Sequence, residues 1–147
     1  MGYHVVSTDI ADYGWSGCRT GVDYLTAAPI AGIEAMVTNP PYRLAVQFVR
    51  KAISGVGYVA LLLRTNFLER VARKPLFQAH PPARIWVASR RLPIMHPYDW
   101  SGKKAGSNTA HSWLIWEAGA VEHCRVRWFD WKDYPDPQPS LLVEAAE

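Results

Sequence analysis

Cysteine is scarce: the 147 residues hold only Cys18 and Cys124, far apart and without a Cys-x-x-Cys pair or histidines at ligand spacing. Neither a disulfide framework nor a zinc site is supported, and both thiols are expected to be reduced. Long hydrophobic runs are missing too, and the longest, Gly57 to Leu63, falls well short of the roughly 20 residues a membrane-spanning helix needs. Strong charge of one sign is absent: the net charge of +3 is mild and does not by itself call for nucleic acid. Phosphate-binding glycine loops are also lacking. Gly14, Gly17 and Gly21 do not follow Gly-x-Gly-x-x-Gly, and Ser101-Gly102-Lys103-Lys104 has neither the upstream glycine nor the following Ser or Thr of a P-loop. His4, His80, His96, His111 and His123 show no mutual spacing typical of a metal or catalytic pair, so no metal is expected. No internal repeat is visible. Met1-Gly2-Tyr3-His4 leads into a strand pattern rather than a signal peptide, which makes a cytoplasmic protein the expectation.

What is present is a short run, Val37-Thr38-Asn39-Pro40-Pro41-Tyr42. The apolar stretch Ile33 to Val37 before it predicts a buried parallel strand, and an amphipathic helix is predicted after it, with Leu44, Ala45, Phe48, Val49 and Ala52 on one stripe. The motif therefore falls at a strand's carboxyl end, where open α/β sheets bind ligands. Two consecutive prolines fix φ and remove two backbone donors, which leaves the carbonyls of Asn39 and Pro40 as free acceptors. The Asn39 side-chain oxygen and the Pro40 carbonyl can each accept one N–H, while the Tyr42 ring offers a stacking face. A planar amino group is the natural guest. A purely structural turn is the competing reading, because Asn-Pro is a common turn initiator.

Asn39, Pro40, Pro41 and Tyr42 match at every position the Asn/Asp/Ser-Pro-Pro-Tyr/Phe motif of amino-methyltransferases that use S-adenosylmethionine. The chain resembles in particular the DNA adenine-N6 branch found in phage and prophage genomes. The resemblance implies catalytic roles for Asn39, Pro40, Pro41 and Tyr42, S-adenosylmethionine as cofactor and DNA as partner.

Residues 3–10 read as a strand ending in Asp9, and a carboxylate at a strand tip of a doubly wound fold accepts ribose hydroxyls. The resemblance implies that Asp9 holds the cofactor ribose with Ile10 against the adenine; a strand-end aspartate capping a turn is the alternative. Gly21-Val22-Asp23-Tyr24-Leu25 resembles the family's third motif, which makes Asp23 and Tyr24 further cofactor candidates. Gly55 is placed to stop the helix after the motif, and Gly57 to Leu63 reads as a central strand covered on both faces. Its end, Leu62-Leu63-Arg64-Thr65-Asn66-Phe67-Leu68-Glu69, is similar to a segment of related phage enzymes and makes Asn66 and Phe67 candidates for the substrate wall. Equally, Asn66 serves as a cap for a helix over Leu68 to Lys74. Further strands are predicted at Arg84 to Ser89 and Ala110 to Trp116. Between them, Arg91, Lys103 and Lys104 are candidates for phosphate contact, against a reading as a solvated loop.

About twenty residues separate the glycine loop from the ribose acid in the dinucleotide fingerprint, yet few precede Asp9 here. The resemblance thus runs from the second motif onward and omits the first. The expected fold is α/β: a doubly wound, three-layer, Rossmann-like methyltransferase sheet, N-terminally truncated, with its first strand and glycine loop absent. A partial catalytic domain is expected over 1–127 and a loosely ordered extension over 128–147, with a partner or self-association completing the sheet and no membrane contact. The expected reaction is methyl transfer to an exocyclic amine, adenine N6 in DNA, in a chain that is inactive alone if the truncation removes cofactor binding. Methylation of a protein glutamine or of RNA guanine N2 is the rival activity, and a non-catalytic remnant the rival of another class.

Overall fold

The computed structural model describes residues 2–92, 108–120 and 123–134. They form two compact units, one extending to Ala31 and the other spanning Gly32–Tyr134. The chain is mixed α/β, with a five-stranded mixed sheet as its main element.

In the first unit β1 (Ser7–Thr8) pairs in parallel with β2 (Cys18–Arg19). The strand expected over 3–10 is thus reduced to two residues in a sheet of its own, and Tyr3 and Val5 are exposed. Its alternating pattern is suited to pairing, but neighbouring strands must supply the hydrogen bonds, and only Cys18–Arg19 does so among the described residues.

The second unit carries β3 (Ala35–Thr38), α1 (Ala45–Gly55), β4 (Tyr58–Arg64), α2 (Lys74–Ala79), β5 (Arg84–Ala88), β6 (His111–Glu117) and β7 (Arg125–Phe129). The sheet order is β3-β4-β6-β5-β7. β3 runs parallel to β4 and β5 parallel to β7, while β6 pairs antiparallel with both β4 and β5. Four strands therefore point one way and β6 alone is reversed. The carboxyl ends of β3, β4, β5 and β7 share one edge of the sheet with the amino end of β6.

The core lies on one sheet face. Val59, Leu61 and Leu63 alternate along β4, and the register sets Val59 opposite Trp116, Leu61 opposite Leu114 and Leu63 opposite Ser112. Against them pack Ala45, Val49 and Ala52 of α1, at helical spacing, together with Leu76 of α2, Phe67 and Ile85. Leu61, Leu63, Leu114 and Val49 are fully buried, each such side chain contributing about 1.5–3 kcal/mol. On the other face Ala60 and Ile115 are also buried, which accounts for the uninterrupted apolar run of β4: it is central, with partners on both sides.

Three expectations need correction. β3 is an edge strand rather than a buried one, and Val37 is 65% exposed, because its hydrogen-bonded partner among the described residues is β4 alone. α1 does end at Gly55, as its placement suggests, and Val56 N–H closes the helix on the Ala52 carbonyl. In place of a helix over Leu68 to Lys74, 3-10 turns at Thr65–Leu68 and Val71–Arg73 flank Arg70, whose φ of 82° breaks the helix before α2. At the C-terminal end, the boundary expected after Arg127 falls inside β7, where Trp128 and Phe129 pair with Val87 and Ala88. Residues 135–147 lie outside the described residues.

Candidate functional site

The strand polarity decides which residues meet. β3 ends at Thr38, so Asn39-Pro40-Pro41-Tyr42 turns off the carboxyl edge. Pro41 is extended, with φ −55° and ψ 121°, and its carbonyl accepts the Leu44 N–H at 2.8 Å. That bond opens a 3-10 turn over Tyr42–Leu44, which runs directly into α1. The prolines sit just ahead of the helix, where their missing N–H groups break no helical bond. Asn39 and Pro41 are exposed and Pro40 is buried. Among the described residues no hydrogen bond reaches the Asn39 side chain or the carbonyls of Asn39 and Pro40, and these acceptors are uncommitted there.

Tyr42 is held from two sides. Its hydroxyl lies 2.8 Å from Nε2 of His111, the first residue of β6, and the two rings stand 5.8 Å apart at a tilt of 39°. The Arg64 guanidinium lies 4.5 Å from the centroid of the Tyr42 ring, a cation–π contact. Arg64 ends β4 and sits directly opposite His111 in the register, so one antiparallel pair delivers both groups to the tyrosine. Desolvation pushes the His111 pKa below its ordinary 6.5; the Thr109 carbonyl opposes this, and the Arg64 and Arg91 charges reinforce it. His111 is therefore neutral at pH 7. The Tyr42 hydroxyl and Nε2 of His111 share one hydrogen bond, whose donor is set by the histidine tautomer.

Next along β4 and β6, the Thr65 and Ser112 hydroxyls bond at 2.8 Å, and Ser112 is fully buried. Asn66 follows, exposed, in the Thr65–Leu68 turn. Arg73 pins that turn by donating to the carbonyls of Asn66 at 3.2 Å and Phe67 at 3.0 Å. Its guanidinium also stacks 4.3 Å from the Phe67 ring centroid. Burial pulls the Arg73 pKa down, with the Arg70 charge adding to it. At the far side of the edge, Arg90 pairs with Asp130 at 2.9 Å, and the Arg91 carbonyl accepts from Trp131 Nε1.

Of the sequence-predicted residues, Asn39, Pro40, Pro41, Tyr42, Asn66 and Arg91 all lie at this edge. Phe67 does not line it as a wall: it is 4% exposed, edge-on to Phe77 in the core. Asn66 is not a helix cap either, since Arg64 takes the capping position of its turn. Lys103 and Lys104 lie outside the described residues. Within the first unit, Asp9 and Asp23 are brought close: the Asp9 carbonyl accepts the Val22 N–H at 3.0 Å. Each carboxylate caps its own turn, Asp9 taking the Ala11 N–H and Asp23 the Leu25 N–H, both at 2.9 Å. One oxygen of each stays outside these turns. Ile10 is 68% exposed, and burial raises the Tyr24 pKa.

Sequence reasoning missed Arg64 and His111. Arg64 stands in the Leu62 to Glu69 segment without being singled out there, and what joins both residues to Tyr42 is the pairing of β4 with β6, visible only once register is known. A separate cavity of about 250 Å³ lies at the opposite edge, between Gly57, His80, Trp116 and Cys124. Trp116 Nε1 there is already bonded to the His80 carbonyl. Among the described residues no group of three His, Cys, Asp or Glu side chains is placed to hold a metal, and no helix is long and apolar enough to cross a membrane. Comparison with protein-family models, curated proteins and solved structures finds no match for the chain.

Proposed function

We propose that the edge built by Asn39, Pro40 and Tyr42 binds an exocyclic amine and directs it to a methyl donor, with adenine N6 in DNA as the substrate. The observation that carries this reading is the corner itself: side-chain and carbonyl acceptors uncommitted among the described residues, beside a tyrosine ring held in place, at the edge where four strands end. In this reading the five-stranded sheet is the second half of a doubly wound, Rossmann-like methyltransferase domain.

Adenine N6 is a poor nucleophile because its lone pair is delocalised into the ring. Acceptance of its two N–H groups by Asn39 and Pro40 favours a more pyramidal nitrogen and fixes its direction of approach. Tyr42 stacks on the base and offsets the few kcal/mol needed to extrude it from a duplex. No general base of shifted pKa is required. S-adenosylmethionine, when bound, supplies a methyl group activated by a sulfonium. The free oxygens of Asp9 and Asp23 suit its ribose hydroxyls and adenine. The glycines of the first unit do not supply the regular loop that the methionine end takes in this family.

The test is transfer of tritiated methyl from S-adenosylmethionine to DNA, RNA and a glutamine peptide, alongside calorimetric titration of the cofactor. Transfer to DNA adenine is expected, with Asn39→Ala abolishing it while cofactor affinity stays within a few-fold. An active Asn39→Ala variant, or transfer to the peptide alone, would refute the proposal.

A further inference from the structure

The edge carries more positive charge than its own carboxylates neutralise. Asp130 is committed to Arg90, whereas Arg64 and Arg91 form no ion pair with any described residue. Both are exposed. Their placement follows from the register. Arg64 faces His111 from β4; on the other side Val87 pairs with Ser112, so the next residue of β5 comes alongside His111 and the chain continues to Arg91. Arg64 therefore lies against Tyr42 from the β4 side, and Arg91 follows on the β5 side, near enough for its charge to act on the His111 ring. Arg64 uses its face on Tyr42, which leaves its N–H donors turned to solvent in the planar fork that matches a phosphate.

We infer that Arg64 and Arg91 bind the backbone phosphates of a nucleic-acid strand on either side of the base that Tyr42 stacks. The inference rests on the reading of this edge as an amine-binding site and names the residues that hold the strand there. A planar amine beside two cations describes a nucleotide within a strand; a glutamine side chain in a peptide carries no anion at a fixed distance from its amide. Arg64 then has two roles, covering one face of the Tyr42 ring so that the base takes the other, and holding the strand beside it.

The experiment is fluorescence anisotropy of the full chain with a short labelled single-stranded DNA containing adenine, repeated with the RNA equivalent, over about 50 to 200 mM salt. Arg64→Gln and Arg91→Gln are each expected to weaken binding about tenfold. Each should also reduce the slope of log affinity against log salt by about 0.7. Arg50→Gln, on the exposed side of α1, should change neither. Arg64→Lys keeps the charge and should keep the slope; with Arg91→Gln it decides the matter if Arg64→Gln does not fold. Unchanged slopes in the Arg64 and Arg91 variants, or an equal loss in Arg50→Gln, overturn the inference. Arginine-dependent binding without methyl transfer would leave it standing and sink the proposed reaction. Methyl transfer to DNA with arginine-independent binding would do the reverse.

Discussion

The Tyr42 hydroxyl and His111 Nε2, 2.8 Å apart, join the corner after β3 to the start of β6 across 69 residues of chain. This bond turns a flexible phenol into a fixed surface. It also makes the geometry of the corner depend on the protonation of a histidine that no motif identifies.

Stability should depend on pH through that histidine. The folded-state pKa of His111 is depressed below 6.5, so the unfolded chain binds the proton more readily. The contribution is complete above the unfolded value, and it is lost as pH falls from about 6.5 to the lower folded value. Urea unfolding between about pH 7.5 and 5 should show this slope, and His111→Asn should remove its share. An identical slope in that variant would assign the effect to another group.

Tyr42→Phe keeps the ring and deletes the hydroxyl bond. A loss of about 1 kcal/mol in unfolding free energy is expected, with methyl transfer reduced but measurable, because stacking survives. Tyr42→Ala should remove transfer altogether. Kinetics of the two variants side by side separate stacking from anchoring.

The Thr65–Ser112 pair predicts a non-additive result. Thr65→Val leaves the fully buried Ser112 hydroxyl without its 2.8 Å partner, at a cost of about 1–3 kcal/mol. Adding Ser112→Ala should return most of that loss, since two apolar groups of similar shape replace a broken bond. Chemical denaturation of the single and double variants measures the coupling.

Arg73 should matter to the proposed substrate edge without touching substrate. Arg73→Lys cannot reproduce the planar contacts to the Asn66 and Phe67 carbonyls and the Phe67 ring. About 1–2 kcal/mol of stability should go, and amide hydrogen exchange should rise over Thr65–Glu69 while β4 stays protected.

The sequence made legible the elements whose pattern is local. The apolar run of β4 and the i, i+4, i+7 stripe of Ala45, Val49 and Ala52 announced a central strand and its covering helix, and the diproline placed its own turn between strand and helix. Non-local features stayed hidden. Whether β3 is central or at an edge depends on which strand lies beside it, and nothing within Ile33 to Val37 encodes that. Phe67 reads as a site residue from its neighbours, but the turn directs its ring into the core against Phe77. Arg70, at a φ that glycine would normally occupy, broke a helix whose composition favoured it. His111 and Arg64 became part of the site only through the reversal of β6.

The Tyr42 hydroxyl already spends one hydrogen bond on His111. Pro40 and Pro41 have no N–H of their own, so in the proposed reading this stretch of the corner would meet an arriving base with lone pairs. A base bearing a carbonyl at the corresponding position would set oxygen against oxygen, and repulsion would turn it away where shape alone would admit it. Selectivity for amino over keto bases would then arise from two ring nitrogens with no proton to give.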